Sequence, residues 1–147
     1  MEEREVTLAL KSFLTNRNWK IISVHFPGAQ GGLSISINGK SRGVVPDLIA
    51  IKDNVVLIVE SKATYSPSDV DKLNEMFSEP RYFRKLERKV SLPTGLGFQR
   101  AIAFHSLHFD ESNVPSGFVV FIVKGKSKVS IFVNTDVSNS VKDVFQL

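Results

Sequence analysis

The fold is decided by one stretch of the sequence, Val45-Pro46-Asp47-Leu48-Ile49-Ala50-Ile51-Lys52-Asp53-Asn54-Val55-Val56-Leu57-Ile58-Val59-Glu60-Ser61-Lys62. It predicts two apolar strands that fold back on each other through a tight turn at Asp53-Asn54. Three charged side chains interrupt the apolar pattern, Asp47, Glu60 and Lys62. A carboxylate in a buried strand is costly unless something compensates its charge. The stretch therefore predicts a hairpin with a charged site built into it.

The register of this hairpin follows from its turn. If the loop consists of the two turn residues, Lys52 pairs with Val55, and counting outward brings Asp47 directly opposite Glu60. Opposed residues have Cβ atoms about 4.5–5.5 Å apart. Lys62 lies two residues beyond Glu60, so it projects from the same face of the sheet. A slip of one residue would separate the three groups, so the prediction is sharp.

Composition limits the class of protein. The 147 residues suit one compact domain spanning 1–147, and 42% hydrophobic with 23% charged residues is ordinary for a globular chain. The absence of Cys excludes disulfides and thiolate metal sites. A net charge of +4 permits binding to a polyanion. The acidic, helical start and the lack of a membrane-length apolar run predict a soluble cytoplasmic protein with no membrane partner.

The N-terminal segment predicts an amphipathic helix over residues 2–16. Its apolar residues recur at helical spacing, namely Val6, Ala9, Leu10, Phe13 and Leu14. Glu3 and Glu2 flank this apolar face on its two sides, whereas Glu5 falls well away from it. Either Glu3 or Glu2 is therefore a candidate to point toward the core. The alternative is that both are first-turn acids favoured by the helix dipole.

Periodicity and chain breakers predict the remaining elements. They are strands at 19–26, 33–37, 98–104, 118–123 and 129–133, and helices at 68–78, 80–91 and 136–145. Asn38-Gly39 predicts a hairpin turn after strand 33–37. Thr135 or Asp136 is expected to cap the final helix. The resulting order predicts an α/β fold, a mixed central β-sheet flanked by α-helices.

Three other features bear on function. Helix 80–91 carries one basic face, which is either a solvated surface or a phosphate-binding face. This face consists of Arg81, Arg84, Lys85, Arg88 and Lys89.

Gly39-Lys40-Ser41 does not make a nucleotide-binding P-loop, because Ser34 stands where the pattern needs Gly and a strand is expected to follow. His105 and His108 would face opposite ways on a strand, which argues against a shared metal.

The hairpin charges favour metal chemistry. Asp47 and Glu60 supply hard oxygen ligands that suit Mg²⁺ or Mn²⁺, and the Ser61 carbonyl is a candidate third ligand. A water on such an ion becomes a nucleophile at neutral pH, and Lys62 beside it would orient it, favour hydroxide or take its proton. A carboxylate of the first helix, Glu3 or Glu2, would hold a water or a second ion.

The alternative for the hairpin is a cross-strand ion pair of Lys62 with Asp47 or Glu60. A buried ion pair contributes weakly to stability, so three charges among Val, Ile and Leu residues are hard to explain on that ground alone.

Pro46-Asp47, twelve intervening residues and then Glu60-Ser61-Lys62 resemble the signature of the PD-(D/E)xK nuclease superfamily. Glu3, within Glu3-Arg4-Glu5-Val6, is similar to the opening of the archaeal Holliday-junction resolvases in that superfamily. The resemblance covers about residues 3–75. It implies a restriction-endonuclease-like fold and Mg²⁺-dependent hydrolysis of DNA phosphodiesters, with Mn²⁺ able to substitute.

The same resemblance implies site residues and partners. Asp47, Glu60 and Lys62 carry over directly as catalytic residues, and Glu3 carries over with a longer helix-to-strand spacing. Lys72 would contact DNA. The protein is expected to be a restriction-type cleavage subunit or a junction resolvase, working as a homodimer or with a partner subunit. A non-catalytic DNA-binding or protein-interaction module with the same fold is the alternative, and a nuclease acting on RNA is a third hypothesis.

Overall fold

A computed structural model describes residues 1–26 and 46–147. In these ranges the chain forms a six-stranded mixed sheet with α-helices on both faces. The elements in chain order are α1 (Glu3–Asn16), β1 (Lys20–Val24), β2 (Leu48–Lys52), β3 (Val55–Lys62), α2 (Pro67–Phe77), α3 (Pro80–Lys89), β4 (Gly97–His105), a 3₁₀ turn (Glu111–Asn113), β5 (Phe118–Gly125), β6 (Lys128–Val133) and α4 (Asn139–Phe145). The predicted α/β class with a mixed central sheet is confirmed.

The strands of the sheet lie in the order of the chain, from β1 at one edge to β6 at the other. β1, β2 and β3 are antiparallel neighbours, β3, β4 and β5 run parallel, and β6 returns antiparallel to β5. The β2–β3 register pairs Lys52 with Val55 and Leu48 with Val59, as the turn predicted. The turn residue Asp53 has a φ of 53°, a left-handed conformation that Asp tolerates in tight turns.

Alternation along β3 divides the core between the two faces of the sheet. Leu57 and Val59 face α1 and α4, in a cluster with Leu10. Ile58 faces α2 and α3, in a cluster with Leu86. Since both faces of the central strands are covered, these strands read as nearly continuous apolar sequence. None of the helices in the two described ranges is long and apolar enough to cross a membrane.

The predicted strand 33–37 and its Asn38-Gly39 turn lie outside the described residues. The predicted cap of the final helix is wrong: α4 begins after Ser138, whose hydroxyl accepts the Val141 N–H. Asp136 instead accepts hydrogen bonds from Ser116 and from the Gly117 N–H, so its side chain is committed to the loop before β5.

Candidate functional site

The predicted site lies at the carboxyl end of β3, where α1 and α2 begin on opposite faces of the sheet. Glu60, Ser61 and Lys62 are the last three residues of β3, and Asp47 directly precedes β2. The observed strand register, continued by one residue, sets Asp47 across from Glu60. Sequence reasoning thus predicted the neighbourhood of these residues correctly, because a two-residue turn and the period of a strand are enough to fix it.

Asp47 is held in place by the backbone of both neighbouring strands. The Ser61 N–H donates to Asp47 Oδ2 at 2.8 Å, and the His25 N–H donates to the Asp47 carbonyl oxygen at 2.8 Å. The residue is 8% exposed. Its carboxylate is therefore oriented before any ligand arrives, on the side of β3 where Glu60 lies.

Glu60 is the more deeply buried of the two carboxylates, with 2% of its surface exposed. Lys72 of α2 contacts it, with Nζ 2.8 Å from Oε1. Burial, and after it the charge of Asp47, raises the pKa of Glu60 to about 8, although Lys72 acts in the opposite direction. Lys72 therefore compensates the carboxylate pair only in part. The sequence placed Lys72 among the DNA-binding candidates, and that role stays a prediction.

Lys62 reaches toward α1. Its Nζ lies 3.8 Å from Glu3 Oε1, and the two side chains are 42% and 25% exposed. Burial, followed by the charge of Asp47, raises the pKa of Glu3. Glu2 and Glu5 are both exposed, so Glu3 is the helical acid that faces the site. The ion pair of Lys62 is thus formed with Glu3, and the alternative of a pair with Asp47 or Glu60 is not what the structure contains.

Thr7 is a site residue that sequence reasoning missed. It is buried one helical turn after Glu3, and its hydroxyl donates to the Glu3 carbonyl oxygen at 3.1 Å. Since that hydroxyl proton is used, the Ser61 hydroxyl is the donor in the 2.5 Å contact between Ser61 Oγ and Thr7 Oγ1. This bond ties the first turn of α1 to β3. The sequence carried little signal, because Thr7 falls at the margin of the apolar face of the helix, next to Leu14.

Asp69 is the second residue that was missed. It lies in the first turn of α2 and is 7% exposed. Burial raises its pKa, the charge of Lys62 lowers it and the charge of Asp47 raises it again. Each of the two helices that begin at the end of β3 thus brings a first-turn acid toward Lys62. From sequence, Asp69 carried only the signal of an ordinary first-turn acid.

The donor set fits a hard divalent ion. In residues 1–26 and 46–147, no group of three or more His, Asp or Glu side chains is arranged to hold a metal by itself. Mg²⁺ does not need three, because it binds through one or two carboxylates and completes its shell with water and substrate phosphates. Asp47 and Glu60 supply two adjacent, desolvated carboxylates. The Ser61 N–H points to Asp47, so we expect the Ser61 carbonyl on the same side of the strand.

The basic face of helix 80–91 is exposed. Both alternatives, a solvated surface and a phosphate-binding face, require this exposure. All five of its side chains are accessible, namely Arg81, Arg84, Lys85, Arg88 and Lys89. Arg81 is paired with Glu79, its Nε lying 2.9 Å from Oε1. The opposite side of α3 packs through Tyr82 and Leu86 onto the sheet face that also carries Ile58. The basic face and Glu60 therefore belong to the same side of the sheet.

His105 and His108 line one pocket of about 420 Å³. β4 ends at His105, so the alternation of a strand does not extend to His108, and the opposite facing of the two imidazoles stays a prediction. Tyr65, Phe104, Phe109 and Asp110 also line this pocket. Its residues come from two distant stretches of the chain, 64–65 and 104–113, which is why no local sequence pattern indicated it.

No family model matches this sequence, and a search of curated proteins finds no match. Fold class alone does not determine function, so the function is argued from the chemistry of the site.

Proposed function

We propose that the protein is a divalent-metal-dependent endonuclease that hydrolyses phosphodiester bonds in DNA, and that its sheet is of the restriction-endonuclease-like kind. One observation supports the proposal above the others. Asp47 and Glu60 lie side by side, both buried, at a strand end where Ser61, Lys62 and Glu3 converge. A pair of desolvated carboxylates costs stability, and a bound cation would relieve that cost. The spacing of these residues also resembles the PD-(D/E)xK signature.

Each residue has a role that follows from its position. Asp47, Glu60 and the Ser61 carbonyl would hold Mg²⁺ or Mn²⁺. When bound, the ion would supply charge neutralisation at the scissile phosphate and a more acidic water. Lys62, which is partly exposed, is available to the phosphate and to an attacking water. Glu3 holds the Lys62 ammonium at the site and is a candidate to position a water.

The test is cleavage of DNA by the purified protein with Mg²⁺ or Mn²⁺. Substrates are linear duplex, nicked duplex, single strands and four-way junctions, and the variants are Asp47→Asn and Lys62→Ala. We expect wild type to cut and each variant to lose about 100-fold or more in rate. Lys62→Ala removes a group that handles the reacting proton, and Asp47→Asn removes a carboxylate ligand of the proposed ion. Lys11→Ala is the matched control, because Lys11 is an exposed lysine of α1 outside the site. Inert wild type on every substrate, or variants that cut as well as wild type, would contradict the proposal.

The same experiment separates the two kinds of nuclease. Preference for four-way junctions indicates a resolvase, and preference for linear duplex indicates a restriction-type cleavage subunit. Cutting both strands at symmetric positions requires a homodimer or a partner subunit, which light scattering of the protein with and without DNA would detect.

The second candidate function is a non-catalytic DNA-binding module, favoured by the exposed basic face of α3. A module would bind DNA without any Mg²⁺ requirement and would show no Mg²⁺ binding by calorimetry. Whether the protein is a nuclease or a module, the double variant Arg84→Ala with Arg88→Ala is expected to weaken DNA binding. The slope of log K against log salt concentration should become shallower by about 0.9 for each lost phosphate contact. Calorimetric Mg²⁺ binding that Glu60→Gln abolishes would exclude the module.

A further inference from the structure

We propose that the pocket of about 420 Å³ beside Lys62 binds an unpaired nucleobase of the DNA substrate, next to the phosphate that the site cleaves. This inference rests on the proposed function and adds the class of substrate to it. We call this cavity the aromatic pocket. It is lined by Tyr65, Phe104, His105, His108, Phe109 and Asp110, with further residues of the same segments.

The position of the aromatic pocket follows from the strand register. Phe104 of β4 is the register partner of Lys62, and Glu60 is paired with Ile102 two residues earlier. Neighbouring strands lie about 4.8 Å apart, and paired residues point to the same side of a sheet. The His105 N–H donates to the Ala63 carbonyl oxygen at 3.2 Å, so the pairing continues past the end of β3. The pocket therefore adjoins Lys62 on the face where Glu60 lies.

Ring surfaces dominate one side of the aromatic pocket. Tyr65 is 43% exposed, a large value for an aromatic side chain, and its ring centroid is 5.4 Å from that of Phe104. Phe109 packs edge-on against Phe104 at 5.6 Å. The rings are thus fixed by one another while part of the Tyr65 ring stays open. Unstacked nucleobases are recognised by stacking on Tyr, Phe and His rings, and every base offers a π-face.

Charge selects the base rather than the phosphate as the occupant. Asp110 lines the pocket and accepts the Ser112 N–H through Oδ1 at 2.9 Å, which lowers the pKa of its carboxyl and keeps it ionised. An ionised carboxylate repels a phosphate but accepts hydrogen bonds from the amino groups of a base. Lys62, whose register partner Phe104 lines the pocket, places a cation at the neighbouring candidate cleavage site. A nucleotide would therefore place its phosphate near Lys62 and its base against Tyr65.

The consequence concerns the substrate. A base within a duplex is stacked on both faces and must leave the helix before an aromatic ring can cover it, which costs a few kcal/mol for a paired base and least for an unpaired one. The preferred DNA would then carry an unpaired nucleotide beside the cut, as at a single-stranded end, a flap or a branch point.

The first test measures binding without cleavage. A single-stranded oligonucleotide with one 2-aminopurine is titrated with protein in EDTA, and stacking on Tyr65 is expected to change its fluorescence. Tyr65→Ala should weaken binding about 10- to 100-fold, in line with the loss of one stacked base, while Tyr65→Phe should bind like wild type. Leu8→Ala is the matched control, since Leu8 is 41% exposed on α1. No fluorescence change with wild type, or equal affinity for Tyr65→Ala, would overturn the inference.

The second test measures cleavage of one DNA sequence, either fully paired or with an unpaired nucleotide beside the cut. We expect wild type to prefer the unpaired form and Tyr65→Ala to lose that preference, with a larger fall in rate on the unpaired DNA than on the paired duplex. If Tyr65→Ala prefers the unpaired form as strongly as wild type does, the inference that the pocket binds the base is wrong. If wild type cuts neither DNA, the proposed nuclease function fails, while the EDTA titration still decides whether the pocket binds a base.

Discussion

A carboxylate that is 2% exposed and lies beside a second carboxylate holds its proton more tightly in the folded protein than in the unfolded chain. Glu60 is in this position, and its pKa is raised from 4.5 to about 8 by burial first and by Asp47 second. Below pH 4.5 Glu60 is protonated in both the folded and the unfolded chain, and its full contribution to folding stability is present. This contribution is lost as the pH rises toward 8.

The stability of the metal-free protein should therefore fall between about pH 5 and pH 8, by at most about 1.4 kcal/mol for each pH unit. Calorimetric melting in EDTA would measure it, and Mg²⁺ added at pH 8 should raise the melting temperature. Glu60→Gln is the control that isolates the effect, because it removes the titrating proton and should flatten the profile. Parallel profiles for wild type and Glu60→Gln would show that another group is responsible.

The hydrogen bond between Ser61 and Thr7 leads to a second prediction at this scale. Thr7→Val keeps the shape of the side chain but leaves the buried Ser61 hydroxyl without its acceptor, which should cost about 1–3 kcal/mol in urea unfolding. Removing both hydroxyls with Ser61→Ala should cost less than the two single losses together. Additive losses would mean that the two hydroxyls do not interact.

Residues that face each other within one hairpin are predictable from sequence, whereas residues that meet through helix docking are not. The opposition of Asp47 and Glu60 needed only the turn and the period of a strand. The contact of Lys72 with Glu60 and the burial of Asp69 depend on how α2 lies across the sheet. No sequence pattern predicts how a helix is rotated or tilted against the sheet on which it packs.

At the scale of elements, α2 is joined to the middle of the sheet through Arg100 of β4. Its Nη1 donates to Asn74 Oδ1 at 2.5 Å, and the guanidinium carbon lies 5.4 Å from the Phe77 ring centroid and 5.1 Å from that of Phe118. Gly117 stands directly beside this guanidinium with a φ of +77°. A side chain at that position would collide with Arg100 Nη2.

Gly117→Ala should therefore destabilise the protein by about 1–3 kcal/mol from the strained backbone, with a further loss as Arg100 is displaced. The matched control is Gly95→Ala, because Gly95 has a φ of +85° with no atom within 4 Å of an added Cβ. Urea unfolding of both variants should show the larger loss for Gly117→Ala. Equal losses would mean that the Arg100 contact contributes nothing.

Sequence periodicity located the described helices and strands to within a few residues, because each buries one regular face. It did not locate the aromatic pocket, whose lining comes from the chain after β3, the end of β4 and the loop that follows it. It also misplaced the start of α4. By residue type Asp136 is as good a cap as Ser138, but its carboxylate accepts a hydrogen bond from the loop before β5 and does not cap the helix.

For the whole molecule, the alternation of strands and helices was enough to predict the α/β class, since two helices between β3 and β4 make a crossover that runs those strands parallel. A finer assignment within that class needs the path of the chain in three dimensions. The resemblance of the Asp47 and Glu60-Ser61-Lys62 segments to a nuclease signature is local. It therefore stays a proposal about the whole protein until cleavage is measured.

The described strands lie across the sheet in the order in which the ribosome makes them. A chain that emerges N-terminus first can add each strand to the edge of those already present, and no later strand has to insert between two earlier ones. The hairpin of β2 and β3 has a two-residue turn, so its two carboxylates meet through a local event of microseconds. Glu60 is then adjacent to Asp47 before β4 pairs with β3, so a growing chain that binds the proposed cation could do so while this strand is still an open edge.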